Sequence, residues 1–391
     1  MTLTRRSMIR WSVAVVGIPT ASHHSKRPRR SQAEAGVAFS VAERVRFEPG
    51  SGADETPSGR VTDLDDAGAI SGWRTVTPDR SEPLVWDGQG GEAPVETGRF
   101  GGTIYALSAT GYAAGAEHLA PGGKVMDAGG YPRPHTAPRL WRDGAAVNLV
   151  LPGEARSIGA GEAVDVSEAG VAVGTITTIT DETLPVIWTS DGLGAILECP
   201  GGGPCRPWAI QGDEVIAGTT SQRLDPADPD SYVTVPMRWT SRAGGTWGVE
   251  VLPFPDTQPT PADFAGVQVD VTFVDLSAAG AVVVGYASHL GESVYGYDDG
   301  PPARLNDGFD LRALAMNAQG TVVGARRAGE FAVPTLVLWE RGAFRDLTDQ
   351  FPDLGDLRLA SVVAINASNQ ILATASDKTG TVVALVFTPL D

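Results

Sequence analysis

The chain has 391 residues but only two cysteines, five histidines and five methionines, and aromatic residues make up 7%. Beyond its first segment it has no apolar run approaching the roughly 20 residues a membrane-spanning helix needs, and no helical periodicity of useful length. Gly-x-Ser-x-Gly, a Walker loop and His-x-x-x-His are all missing, which removes the nucleophile elbow, the phosphate cradle and the helical metal pair. Gly201-Gly202-Gly203 lacks the lysine and the following helix that phosphate binding requires. No cofactor is implied, and nothing in the sequence demands catalysis. Basic residues are also short: 30 Lys and Arg stand against 47 Asp and Glu, a net charge of -17. Such a surface repels phosphate backbones and anionic lipid, disfavouring nucleic-acid and membrane-surface binding. Cationic ligands, calcium or a basic partner fit it better. Forty-eight Gly and 28 Pro are too few for collagen, and 42% apolar residues are too many for a disordered chain.

What basic charge exists is concentrated at the start. Arg5, Arg6, Arg10, Lys26, Arg27, Arg29 and Arg30 fall within residues 1–35. Arg5-Arg6 followed by Ser7-Met8-Ile9-Arg10 resembles a twin-arginine signal. The apolar stretch from Trp11 to Ser22 is too short to span a bilayer, and Ala33-Glu34-Ala35 supplies an A-x-A cleavage signature. Residues 1–35 therefore read as an export signal and 36–391 as the functional domain, periplasmic or extracellular, soluble and monomeric. In an oxidising compartment Cys199 and Cys205, separated by Pro-Gly-Gly-Gly-Pro, read as a local disulfide.

The domain is repetitive. A polar residue, two variable residues and Gly precede a short apolar run closing on Gly: Asp65 to Gly72, Ser108 to Gly115, Ser167 to Gly174, Ser277 to Gly285 and Asn317 to Gly324. Gln211 to Gly218 and Asn366 to Ala373 are degraded copies, so the period is about 50 residues. Pro-x-x-Trp follows at Pro83–Trp86, Pro138–Trp141, Pro185–Trp188 and Pro236–Trp239. Leu336–Trp339 and Ala384–Phe387 are weaker versions, and Pro302–Leu305 is read as the fifth. Polar-x-x-Gly is a type I turn whose first side chain caps the turn backbone. The flanking Val-, Ile- and Ala-rich runs are β-prone, and Asp-Gly between two such runs marks a hairpin. Each unit thus reads as four antiparallel strands, a to d. A lone four-stranded sheet cannot bury both faces, whereas seven around an axis can.

The expected fold is all-β, a seven-bladed β-propeller of four-stranded antiparallel blades. The last unit runs out of chain before a fourth strand, and Val37–Phe47 is strand-like ahead of the first unit. The N-terminal strand is therefore expected to complete the last blade and leave no open edge. The phrase polar-x-x-Gly-x-Val-x-Gly followed by an apolar-Leu-Trp strand resembles the HAF-repeat family of exported bacterial proteins, over essentially residues 37–391. That resemblance implies export and a repeat architecture, and carries no activity or site residues with it.

Loop lengths point to one rim. The a–b turns are tight, while insertions are read in the b–c connections Glu117–Thr136, Ser221–Val235 and Ser288–Pro301, and in the d–a connections Pro253–Val269 and Cys199–Cys205. Both kinds emerge on one face, where a rigid scaffold places function. His118, Tyr131, His135, Tyr232, His289, Tyr295 and Tyr297 are read into these loops as candidate contacts to a protein or carbohydrate ligand. Asp225, Asp228 and Asp230 loosely resemble a calcium loop without its Gly and bidentate Glu. The reading that follows is an exported binding or interaction module. The alternative is a propeller enzyme of the glycoside hydrolase or lyase type, which requires buried carboxylates in the channel mouth with raised pKa values. A purely structural surface protein is the third reading.

Overall fold

A computed structural model describes residues 38–48, 59–126, 132–150, 157–223, 232–253, 270–305, 310–327 and 335–390, apart from 78, 90, 179, 201–202, 289–290, 299 and 348–349. Its first strand is β1 (Phe39–Phe47). Blade one holds β2 (Gly59–Leu64), β3 (Ile70–Thr77), β4 (Arg80–Trp86) and β5 (Glu92–Pro94). Blade two holds β6 (Gly102–Leu107), β7 (Tyr112–His118), β10 (Thr136–Arg142) and β11 (Ala145–Val147), with the hairpin β8 (Lys124–Met126) and β9 (Pro132–Pro134) inserted between b and c. Blade three is β12 (Ser157–Val166), β13 (Ala172–Thr178), β14 (Thr183–Trp188) and β15 (Gly194–Ile196). Blade four is β16 (Cys205–Gln211), β17 (Val215–Arg223), β18 (Tyr232–Arg242) and β19 (Thr246–Val251). Blade five is β20 (Asp270–Leu276), β21 (Val282–Ser288), β22 (Gly291–Tyr297) and β23 (Ala303–Arg304). Blade six is β24 (Asp310–Met316), β25 (Val322–Arg327), β26 (Thr335–Glu340) and β27 (Ala343–Asp346). Blade seven is β28 (Arg358–Ile365), β29 (Ile371–Ser376) and β30 (Val382–Pro389), with β1 as its outer strand. Helical structure among the described residues is confined to 3-10 turns, of which Pro121–Gly123 is the named one.

Closure of the ring is as expected from the two ends of the repeat array. β1 runs antiparallel to β30 from Phe39 opposite Pro389 to Phe47 opposite Val382. Phe39, Val45 and Phe47 are buried on it. The a–b turns also behave as their residues dictate. The first side chain accepts the amide four residues on: Asp65 from Ala69 at 2.7 Å, Ser108 from Tyr112 at 3.1 Å, Asn317 from Thr321 at 2.9 Å. The turn Gly, at Gly68 or Gly111, has a positive φ that a side chain would oppose.

Apolar burial is organised between blades. Among the described residues there are seven apolar clusters, one at each interface around the ring. One c-strand aromatic enters each interface with the preceding blade, opposite the b-strand residue that lies five after the turn start. It is Trp86 opposite Ile70, Trp141 opposite Ala113, Trp188 opposite Ala172, Trp239 opposite Ile216, Trp339 opposite Val322 and Phe387 opposite Ile371. In blade five it is Tyr297, opposite Val282.

That register corrects the reading of the fifth unit. Pro302–Leu305 is not the c strand; Ala303–Arg304 is the short d strand β23, paired with Tyr295 and Gly296. Ser288 pairs with Gly291, so only two residues separate the b and c strands and Ser288–Pro301 is not an inserted loop. Its tyrosines belong to the sheet: Tyr295 and Tyr297 are 1% and 2% exposed. The reason is spacing. Tyr297 stands 20 residues after Ser277, as Trp86 stands 21 after Asp65, and leaves no room for an insertion. The fourth unit is corrected in the same direction. β17 and β18 extend until Arg223 faces Tyr232, so Ser221–Arg223 and Tyr232–Val235 are strand rather than loop.

Candidate functional site

The inner strands line the channel, and the position two residues before each a–b turn alternates in character. It is Asp63, Asp165 and Asp275 in blades one, three and five, and Ala106, Ala209, Ala315 and Ala364 in the others. Each Asp accepts from the following amide at 2.8 Å, that of Leu64, Val166 or Leu276. The second oxygen crosses to the next blade: Asp63 accepts from Leu107 at 2.8 Å and Asp165 from Ile210 at 2.7 Å. A carboxylate is the only side chain short enough and with enough acceptors to brace two inner strands in this way. Burial pushes the Asp165 carboxyl well up; the Ile210 amide opposes this, and the Asp275 and Asp63 carboxylates add to it.

These acids sit at the a–b mouth, beside a cavity of about 160 Å³ lined by Asp65, Asp165, Glu168, Asp275, Asn317 and Asn366 among others. The turns around it are tied blade to blade. Asn366 donates to Asp65 O and Asn317 to Asn366 O, both at 3.0 Å, and Thr110 donates to Glu168 O at 2.6 Å. Asp165 thus has the raised pKa asked of a channel acid while remaining half-buried, and both of its oxygens are occupied by amides that hold the ring together. No group of three or more His, Cys, Asp and Glu that could hold a metal occurs among the described residues.

The opposite rim carries the insertion of blade two. His118 ends β7 and faces Thr136 across the neck of that insertion. His135 donates its amide to Gly123 O at 2.8 Å and receives the Leu119 amide on its own carbonyl at 2.9 Å. The His118 ring stands 3.2 Å, at Nδ1, from Ser81 Oγ, which donates to Gly102 O at 2.8 Å. Burial lowers the His118 pKa, and a contact with the Phe100 backbone partly offsets this. Gly123 lies against the imidazole so closely that a Cβ there would strike it. Glu117, on the other face of β7, is buried and ion-paired with Arg139. Ser81 carries no sequence signal, lying among ordinary strand residues ahead of Pro83.

Of the other candidates, Tyr232 opens β18 and Tyr295 and Tyr297 are core. Tyr297 shares a 2.6 Å hydroxyl–hydroxyl hydrogen bond with Tyr286, and burial pushes its pKa up to about 12. Contact with a ligand is not open to either core tyrosine in the folded ring. Tyr131, His289, Asp225, Asp228 and Asp230 lie outside the described residues. Cys199 and Cys205 form the expected disulfide, Cα atoms 5.8 Å apart, in the d–a connection between blades three and four.

No protein-family model matches the chain, and no curated protein matches it. Solved structures do. The β-propeller domain of the Trilobed protease from Pyrococcus furiosus, an open-velcro propeller, superposes with a TM-score of 0.52 at 10% identity, over 82% of this chain and 92% of that one. Dipeptidyl peptidase 4 of Porphyromonas gingivalis gives a TM-score of 0.50 at 10% identity, over 83% of this chain and 52% of that one. This chain therefore spans about half the length of the peptidase. At such identities the likeness is one of fold: the chain is a seven-bladed β-propeller, here closed by its own N-terminal strand.

Proposed function

We propose that this protein is an exported binding module that contacts a protein or carbohydrate ligand through the rim of b–c and d–a connections. The observation that carries the reading is the asymmetry of the two faces. The a–b face consists of minimal turns tied to one another, whereas the b–c/d–a face bears the β8–β9 hairpin and the disulfide-linked connection. The disulfide, the Arg5-Arg6 segment and the likeness of the repeat phrase to exported HAF-repeat proteins all support export. The alternative, a carbohydrate-cleaving propeller with channel carboxylates, draws on Asp165 with its raised pKa but has to release that acid from the Val166 and Ile210 amides first.

The test is a glycan and protein binding screen with the full chain and with a variant in which residues 119–135 are replaced by Asn-Gly, so that this dipeptide alone links His118 to Thr136. Those two residues already face one another, so a two-residue turn fits the hairpin. The trimmed protein is expected to keep its melting temperature and to lose binding. Undiminished binding, or turnover of a glycan that disappears in Asp165→Asn, overturns the reading.

A further inference from the structure

Blade seven carries a cavity of about 400 Å³, against about 160 Å³ at the a–b mouth. That volume falls in the roughly 300–1,000 Å³ usual for small-ligand sites. It opens on the b–c/d–a face, where the connection entering β28 meets the turn between β29 and β30. Gly355, Asp356, Arg358, Ser376, Asp377 and Lys378 line it, so five of the six carry a polar side chain and none is apolar. Arg358 stands opposite Ser376 across the ladder, and Asp356 and Lys378 lie two residues further out on each chain. Both walls are fixed from behind. Leu354 and Leu357 pack on the apolar cluster between blades six and seven, and Leu357 donates its amide to Leu354 O at 3.2 Å. In the facing turn Asp377 Oδ1 accepts from Thr379 N at 2.8 Å, Thr379 Oγ1 at 2.6 Å and Thr381 N at 3.1 Å.

The charges around this cavity are balanced in number but not paired in space. Arg358 and Lys378 supply two cations, Asp356 and Asp377 two carboxylates. Among the described residues no ion pair or hydrogen bond joins either cation to either carboxylate, and Ser376 Oγ has no partner. Elsewhere facing strands do pair such groups, Arg74 with Glu82 at 2.7 Å and Arg238 with Glu250 at 2.8 Å. The Thr379 hydrogen bond holds the Asp377 carboxyl below the usual carboxylate range, so it is ionised at neutral pH. Arg46 on β1 reinforces this through its charge, while its own guanidinium is held by Glu43 at 2.9 Å. Opposite charges kept apart across an open cleft are neutralised by a ligand that carries both signs. A guanidinium fork suits a carboxylate, and a carboxylate suits an ammonium. An anion alone would also meet the two aspartates, and a cation alone the arginine and lysine.

We propose that this cavity binds a small zwitterion by its two ends, a carboxylate on Arg358 and Lys378 and an ammonium on Asp356 and Asp377. A free amino acid and a short peptide both have that chemistry. The cavity shares its face with the contact rim proposed above and uses nothing of the blade-two insertion, so the two readings fail separately.

The experiment is calorimetric titration of the full chain with glycine and, separately, with glycylglycine. Saturable binding is expected with at least one of them, and which one separates a free amino acid from a peptide. N-acetylglycine lacks the ammonium and glycinamide lacks the carboxylate; matched in ionic strength by sodium chloride, each should bind about tenfold more weakly, the worth of one charge-assisted hydrogen bond. Arg358→Gln and Asp356→Asn should each weaken the zwitterion by a similar factor. Both residues are exposed, so these variants are expected to fold, with an unchanged melting temperature as the check. Arg341→Gln, an exposed change in a turn of blade six, should bind as the parent does. The 119–135 replacement should retain the ligand. Heats no larger than dilution with both zwitterions, an analogue of single charge binding as tightly as they do, or affinity unchanged in both variants, overturns the proposal.

Discussion

At the scale of single residues, position in the ladder outweighs residue type. His118 and Tyr297 were equally plausible as ligand contacts, being amphipathic and scarce in the chain. Register separates them: Tyr297 takes the aromatic site of its blade, while His118 ends a b strand at the neck of an insertion. His118 also has a thermodynamic consequence. Its pKa is lowered by burial, so the unfolded chain takes up the proton first, at about 6.5. Its contribution to stability is present above that pH and is lost as pH falls through it towards the folded value. The melting temperature should therefore drop between pH 7.5 and 5.0 by more in the parent than in His118→Gln. Equal drops would show that another group carries the acid sensitivity. The partners of His118, Ser81 and the Phe100 backbone, come from another strand and another connection. Nothing local in the sequence announces them.

At the scale of elements, the repeat's closing glycine has a cause that pattern alone does not supply. The inner strand bulges before its turn, between Ala163 and Asp165 in blade three. The kink presses the Glu162 carbonyl over Gly174, where any Cβ would collide with it. Gly72, Gly115 and Gly218 meet the carbonyls of Arg60, Thr103 and Arg206 in the same way. Gly174→Ala should cost about 1–3 kcal/mol, the range for overpacking a core. Gly300→Ala, with open space around it, should cost nothing measurable. Thermal denaturation of both variants decides this, and a neutral Gly174→Ala would remove the bulge as the reason. Strand existence and turn type were legible because alternation and turn chemistry are local. The allotment of residues to b–c or c–d connections was legible where Pro-x-x-Trp, or an apolar run ending in an aromatic as at Leu336–Trp339 and Ala384–Phe387, marked the c strand. In blade five a Tyr without that proline stands in its place, and the connection was misassigned.

At the scale of the molecule, stability depends on a joint between the two ends of the array. β1 is a single strand joined to β30, with Phe39, Val45 and Phe47 buried beneath it. Burying such side chains contributes about 1.5–3 kcal/mol each, against about 5–15 kcal/mol for a whole domain. Deleting residues 38–48 should lower the melting temperature sharply and cause concentration-dependent aggregation through the bared β30 edge. A peptide spanning 38–48, added in trans, should restore both. An unaltered melting temperature would mean that blade seven is stable with three strands.

Four-stranded units, their number, their capped turns and the strand that closes the ring were all determined by the amino-acid order, because each follows from short-range chemistry repeated at a fixed period. The rest was decided by tertiary structure. Asp63, Asp165 and Asp275 lie about 100 residues or more from one neighbour to the next in the chain, and Ser81 is far from His118. Only curling seven sheets around an axis brings inner-strand positions of equal register to a common height. The gathering of three acids at one mouth of the channel is therefore a property of the closed ring, invisible in any one repeat.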